Sequence, residues 1–492
     1  MIEKVKHSGL ALAILATAQF MVVLDATIVN VALPAIEKAL GFSGASQLQW
    51  VITAYALVFG GFLLLGGRLA DLFGRRKMFL AGVALFAVAS LLGGFSQNPG
   101  QMILFRSLQG LGGALLAPAA LSLVLTIFKE GAARNKALGV WSMVAAGGGA
   151  VGLILGGLLT QYVDWRWIFF INVPLAAIVL VMARMYVPAS APVERQRVDV
   201  AGALTITGSL MSLVFGLAKA PTLGWTNATT LGSFAVAIVL MAAFIVNELR
   251  VRQPLITLGI FKRRNVSGGS LIQLLMPAAM FGMFFYISIY LQQILGYSPT
   301  KTGAANIPFT LTIMVVAGIL SRHINKVNPK AVLVVGPLLA AAGLLFFSRI
   351  PVHANYLTDV LPGIIIMAAG MAAVFVTTTL VTTSGVSHKE SGLVSGLLNT
   401  GQQIGGAIGL AVLTVVSTAA TKAQIIKDQG DPALLPAALV HGFQHGFVAA
   451  SLFAFAASLV ALTVLKIHKP TAAELSRETE VEAESFAALP GA

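Results

Sequence analysis

Fourteen apolar stretches, each about the length of a membrane span, follow one another along the chain. They cover 9–33, 48–70, 78–95, 101–126, 137–160, 167–187, 200–219, 229–247, 266–293, 303–321, 331–349, 359–381, 393–420 and 440–465. In lipid, only an α-helix or a closed barrel pairs all of its own backbone polar groups. A barrel would read as strands of about 10 residues alternating apolar with polar, which these stretches do not. The chain is therefore expected to be an all-α membrane protein with fourteen transmembrane helices. Composition agrees. Only 10% of the 492 residues are charged and 57% are hydrophobic, where a soluble domain carries about 25% charged residues. That excludes a soluble enzyme, a disordered chain and a nucleic-acid regulator. No cysteine is present, so disulfides, thiol catalysis and cysteine-ligated metals are excluded. No signal-peptide cleavage site follows the first stretch, which is expected to stay as a span.

The formal charge of +14 resembles a nucleic-acid signature, but in a membrane protein basic residues mark cytoplasmic loops. An even helix count puts both termini on one side. With the termini inside, Lys38, Arg166, Lys219, Lys301, Arg349, Lys422 and Lys427 fall outside and Arg106 lies within a span. Every other lysine and arginine falls inside, Arg75, Arg76, Arg195, Arg250, Lys262, Arg263 and Arg264 among them. The expected location is the plasma (inner) membrane with both termini cytoplasmic. The tail 470–492 is polar and rich in glutamate, and reads as a disordered cytoplasmic end.

A repeat organises the stretches. After the second comes Gly67-Arg68-Leu69-Ala70-Asp71-Leu72-Phe73-Gly74-Arg75-Arg76-Lys77, and after the tenth a degenerate copy, Gly318-Ile319-Leu320-Ser321-Arg322-His323-Ile324-Asn325-Lys326. The spacing suits two six-helix halves, 1–187 and 265–469, with a helix pair (200–219 and 229–247) inserted within 188–264. Repeats of this kind mark transporters, whose substrate path runs between the halves. The inserted pair is expected to pack peripherally and to carry no coupling residue.

Asp25 is the only acid well inside a span, and Arg106 the only base. A charge at the bilayer centre costs on the order of 2.5–3.5 kcal/mol on insertion scales, so such residues serve a pathway or a partner. Both sit about 8–12 Å below the ends of their helices on the same side, at 1.5 Å per residue. An ion pair that switches when Asp25 takes a proton is expected; the plainer alternative is a pair that only fixes packing. Gly148, Gly152 and Gly156, with Gly157 beside them, put small residues on one helix face for close packing. Phe281, Phe284, Phe285, Tyr286 and Tyr290 read as an aromatic helix face, and Gln273, Gln292, Gln293, Asn306, Asn399, Gln402 and Gln403 as amides in or near helices of the second half. Aromatics with scattered amides suit flat, lipophilic ligands. Gln19, Asn30, Tyr55 and Trp141 of the first half are assigned to the same cavity. His323, His353, His388, His441 and His445 make no metal-ligand pattern, and no metal or cofactor is expected.

These motifs closely resemble the major facilitator superfamily. Gly67–Lys77 looks like its signature between helices two and three, and Leu104-Phe105-Arg106-Ser107-Leu108-Gln109-Gly110 like its fourth-helix motif. Leu24-Asp25-Ala26-Thr27 through Pro34, Trp165-Arg166-Trp167 through Pro174, and Gly396-Leu397-Leu398-Asn399 through Gly406 resemble the fourteen-helix drug:proton antiporter branch. Two positions depart: Leu153 stands where the fifth-helix motif usually has proline, and Gln402 where arginine is often found. The resemblance implies the major facilitator fold, with helices one and four lining the first half of the cavity. It implies that Gly67, Asp71, Gly74, Arg75 and Arg76 form a latch for one access state, and that the glycine face of the fifth helix packs between the halves. The implied function is a monomeric secondary active exporter of lipophilic drugs or similar compounds by proton antiport, with small molecule, protons and bilayer as its partners. The alternatives are an exporter of one metabolite, lipid or antibiotic and, with less support, an intramembrane enzyme or sensor.

Overall fold

A computed structural model describes residues 8–128, 132–188, 199–252, 254–323, 327–383 and 388–466. The tail 470–492, most of the 188–199 connection and the end of the second repeat copy (324–326) lie outside the described residues. Among the described residues the structure is helical, with no strand. The long helices are α1 (Ser8–Leu40), α2 (Trp50–Phe73), α3 (Arg75–Gly94), α4 (Pro99–Ile127), α5 (Ala132–Tyr162), α6 (Asn172–Tyr186) and α7 (Val200–Leu223). They continue as α8 (Ala228–Arg250), α9 (Arg264–Ile289), α10 (Ile307–His323), α11 (Pro329–Phe347), α12 (Leu361–Thr383), α13 (His388–Lys427) and α14 (Leu435–Thr463). With the short turns that extend α2, α6, α9, α10, α12 and α14, thirteen are long and apolar enough to cross a membrane among the described residues. The remaining one, α5, is a 31-residue helix over the expected fifth stretch.

Local chemistry sets the helix ends. Asn98, Ser298 and Asn328 each cap a helix with a side-chain oxygen, and proline takes the next position, where its missing N–H costs nothing. Gly74 has φ of 96°, a conformation that disfavours other residues. It lets α2 end and α3 begin with one residue between them. The sixth stretch crosses over Trp167–Tyr186 as expected, but with a break inside it. It is a short helix, Trp167–Phe170, followed at Asn172 by α6. Pro174 lacks the N–H that a continuous helix would need there.

Short connections make successive helices antiparallel, so one end of the bundle carries Leu40, Tyr162, Ile294 and Pro299, and the other Phe73, Gly74, Arg250 and Arg264. Within the first six helices, α1 packs on α4, α5 and α6, α2 on α4, and α3 on α4 and α6. The last six repeat this pairing in order: α9 on α12, α13 and α14, α10 on α12, and α11 on α12 and α14. Two six-helix halves related by internal symmetry account for it. The halves meet where α2 packs on α13, where α5 packs on Pro299–Ala305 and α10, and where α1 touches α9. The inserted pair lies beside the α2–α13 seam: α7 contacts both helices, while α8 packs mainly on α7.

Candidate functional site

Asp25 of α1 and Arg106 of α4 meet at 2.5 Å in the first half, with side chains 0% and 1% exposed. Charges so deep need all their hydrogen-bonding capacity satisfied. Asp25 accepts from Arg106 on one oxygen, and on the other from Gln109 at 2.9 Å and Asn172 at 3.1 Å. Arg106 also donates to the Val51 carbonyl at 2.8 Å and to Gln109 at 3.0 Å. Gln109 donates further to Ser90 at 2.7 Å. The Tyr55 ring lies 4.4 Å from the guanidinium carbon, within cation–π range. Helical spacing builds this cluster. Arg106 and Gln109 are three apart and share a face of α4. Next to them Gly110 faces the Tyr55 carbonyl, which a Cβ would meet at 2.5 Å, so α2 and α4 approach closely. The break before α6 sets Asn172 at a helix start, buried and directed at Asp25. Gln109 and Asn172 lie inside the motifs quoted above but carried no sequence signal of a role. Ser90 had none at all.

Beyond Tyr55 a cavity of about 320 Å³ lies between the halves. Gln19, Asn30 and Tyr55 line it from the first half, and Phe281, Asn399, Gln402 and Gln403 from the second, with Phe59, Met280 and Phe284. Gln273 donates to Gln402 at 3.4 Å. The other expected aromatics are elsewhere. Phe285, Tyr286 and Tyr290 are fully buried in the core of the second half. The Tyr286 ring packs tilted against Phe443 and edge-on against Phe447 and its hydroxyl donates to Thr414, and Tyr290 donates to the Pro351 carbonyl at 2.6 Å. Helical geometry explains Tyr286: Met280, Phe281 and Phe284 share one face of α9, and Tyr286 lies roughly opposite it, against Phe443 and Phe447 of α14; Phe285 sits at the edge of that face and is buried. Trp141 packs against the core of the first half and does not line the cavity.

The glycine face of α5 also differs from what the resemblance implies. Gly148, Gly152 and Gly156 pack on α1, within their own half, against Phe20, Leu24, Thr27 and Ile28. Only Gly157 crosses the seam, where a Cβ would meet Thr300 Cα at 2.6 Å and the Pro299 carbonyl at 2.7 Å. Leu153, at the proline position, presents its carbonyl to Gly303 across the same seam, and α5 runs unbroken. Polar ties between the halves cluster at this end. Gln292 donates to the Val31 carbonyl at 2.8 Å, Gln293 to Glu37 at 2.8 Å, and the Thr300 N–H to Gln161 at 3.2 Å.

At the other end Asp71 pairs with Arg75 at 3.3 Å, half in solvent, where an ion pair contributes little. Arg75 also bonds the Thr126 hydroxyl of α4. Arg76 donates to the Arg184 and Val187 carbonyls at 2.9 and 3.0 Å, satisfying the open C-terminal end of α6. Gly67 lies against Pro118 of α4. These contacts tie α2, α3, α4 and α6 together within one half. Among the described residues no group of three or more His, Cys, Asp or Glu could hold a metal ion.

The description of the Major Facilitator Superfamily matches residues 15–410. The puromycin resistance protein of Streptomyces alboniger is 41% identical, covering 92% of this chain and 89% of its own. The cephamycin export protein of Amycolatopsis lactamdurans is 36% identical over 87% and 90%. The tetracenomycin C resistance and export protein of Streptomyces glaucescens is 38% identical over 86% and 78%. Among solved structures, a transporter of the POT family superposes with a TM-score of 0.69 at 15% identity, covering 98% of this chain and 99% of that one. A bacterial homologue of the human lysosomal transporter Spinster, in an inward-facing state, gives 0.65 at 16% identity over 94% and 99%. These two likenesses bear on the fold alone.

Proposed function

The chain belongs to the Major Facilitator Superfamily, and from that premise we propose that it exports lipophilic, antibiotic-like small molecules across the plasma membrane by proton antiport. Export of such compounds is supported by relatives named for antibiotic resistance and export. The coupling reading is carried by one observation. Asp25, shielded from lipid and held by Arg106, Gln109 and Asn172, lies behind Tyr55, a wall residue of the central cavity.

The positive-inside rule places the Gly74 end in the cytoplasm. In that orientation the polar ties between the halves lie on the outside, which supports reading this structure as the state that loads substrate from within. With Asp25 ionised and paired, Arg106 is neutralised in place and Tyr55 stays packed over it. Phe281 and Phe284 offer ring faces to a lipophilic substrate, and Asn30, Asn399, Gln402 and Gln403 offer both donors and acceptors. Once the substrate has left to the outside, a proton reaching Asp25 cancels its charge, releases Arg106 and loosens the α1–α4 contact. The halves then rock back, and the proton leaves inward. Residues 1–187 and 265–469 act as the two moving bodies in this cycle, and one chain contains a complete path.

A second reading, an exporter dedicated to one compound, is favoured by relatives each named for a single antibiotic. One experiment tests both. Purified protein in proteoliposomes with an imposed pH gradient is given a panel containing puromycin, a cephamycin and planar aromatic cations. Gradient-dependent movement of several supports the first reading, and of one only the second. Movement that ignores the gradient removes proton antiport.

A further inference from the structure

A second cavity, of about 390 Å³, lies beside the central one at the Gly74 end. Leu64 of α2 comes from the first half; Ser270 and Leu271 of α9 and Thr400 of α13 come from the second; Phe244 of α8 and Phe261 of the 251–263 connection close it. Its walls are apolar but for hydroxyls. Ser270 Oγ and Thr400 Oγ1 are buried without a hydrogen-bond partner among the described residues, a position that disfavours an empty apolar pocket. Leu271 and Phe261 are 45% and 37% exposed, so the rim opens toward the bilayer. Between them in sequence stand Lys262, Arg263 and Arg264, all exposed; Arg264 donates to the Thr463 carbonyl at 3.4 Å.

We propose that this cavity binds an acyl chain of an anionic phospholipid from the inner leaflet, with the lipid phosphate held at Lys262–Arg264. The choice of leaflet rests on the orientation proposed above; the binding does not depend on the exported cargo. Three features select this ligand. An apolar slot opening to lipid takes a chain. A basic cluster beside a membrane helix selects acidic headgroups. Ser270 lies six residues past Arg264, about 9 Å deeper along α9, where the ester carbonyls of a lipid follow its phosphate and can accept from the hydroxyl. The walls come from both halves and from α8, so their separation must change as the halves rock. A bound chain therefore favours the state seen here, because a ligand shifts an equilibrium toward the form it binds better.

The test uses full-length protein and two lipids of equal chain length, dioleoylphosphatidylglycerol and dioleoylphosphatidylcholine, titrated under native mass spectrometry. Each basic residue near the surface favours an anionic headgroup, so the phosphatidylglycerol should occupy one site roughly tenfold or more tightly than the phosphatidylcholine. Leu271→Trp fills the slot from its exposed rim and should remove that site; Lys262→Gln with Arg263→Gln should remove the headgroup preference. A phosphatidylglycerol carrying a diazirine in its acyl chain, photolysed against the unmodified protein in nanodiscs, should attach to the α9 and 251–263 lining. Equal affinity for both lipids, or attachment to the outward face of α8 at Ile238 and Val239 in place of the lining, would overturn the proposal. Because both readouts are of binding, a failure to export drugs leaves this result standing, and its failure leaves export standing.

Discussion

Asp25 carries two demands that pull against each other: it must be held well enough to survive burial, and loosely enough to take a proton. The three donors around it meet the first. Asp25→Asn keeps shape and polarity but cannot titrate, and is expected to abolish uphill, pH-driven efflux in proteoliposomes while substrate binding persists in part. Normal gradient-driven efflux by this variant would sink the mechanism. Arg106→Ala leaves a buried unpaired carboxylate, which costs about 3–5 kcal/mol, so its lost transport has to be read beside protein yield. Arg106→Lys keeps the charge but cannot serve Asp25, Val51 and Gln109 at once, and should fold yet transport poorly. Asn172→Ala removes one donor from Asp25 and should destabilise by ~1–3 kcal/mol, with export reduced but not lost; a melting curve beside an efflux assay checks it. The sequence makes Asp25 and Arg106 stand out because charge is expensive in lipid. Gln109, Asn172 and Ser90 are cheap enough to occur anywhere, and only their partners distinguish them.

Helix faces explain both what the sequence disclosed and what it hid. Apolar length located the helices, and the Gly67 repeat located the symmetry, because both are written along the chain. The face that α9 turns to the cavity depends on its rotation against α14, which no local pattern fixes. Phe281 therefore reached the cavity while Phe285, Tyr286 and Tyr290 went to the core. The neighbouring glycines of α5 separate two kinds of packing in the same way. At Gly156 an added side chain meets the Ile28 carbonyl of α1 at 2.7 Å, inside a half that stays packed throughout the cycle. Gly156→Leu is expected to lower melting temperature and yield by overpacking, about 1–3 kcal/mol or more. At Gly157 the clash is with Pro299 and Thr300 across the seam. Gly157→Leu should leave each half folded and pry the seam open. The readout is a single cysteine placed at Asn30 and probed from outside with an impermeant maleimide. Faster labelling in Gly157→Leu than in its parent supports this division; equal labelling, with lost yield, would place Gly157 with Gly156.

At the scale of the whole molecule the two ends are held differently. One end carries three polar ties between halves, Gln292 to Val31, Gln293 to Glu37 and Thr300 to Gln161, while the bonds of Asp71, Arg75 and Arg76 at the other stay within the first half. Each tie is a single neutral or singly charged hydrogen bond, worth about 0.5–3 kcal/mol, so the seal is breakable on a transport timescale. Alternating access requires that it break in every cycle. The chain contains no cysteine, so a pair introduced at Glu37→Cys and Gln293→Cys is chemically unique. Those side chains already touch at 2.8 Å, within reach of a short bis-methanethiosulfonate, whose two sulfinates leave as each cysteine forms a disulfide that a reductant later cleaves. Linking them should stop export completely without lowering the melting temperature, and cleaving the linker should restore it. The same reagent joining two positions within the second half, where no relative motion is needed, should leave export intact. Continued export with the Glu37–Gln293 link closed would mean that the seal does not open during transport, and the substrate would then need a path that bypasses the seam between the halves.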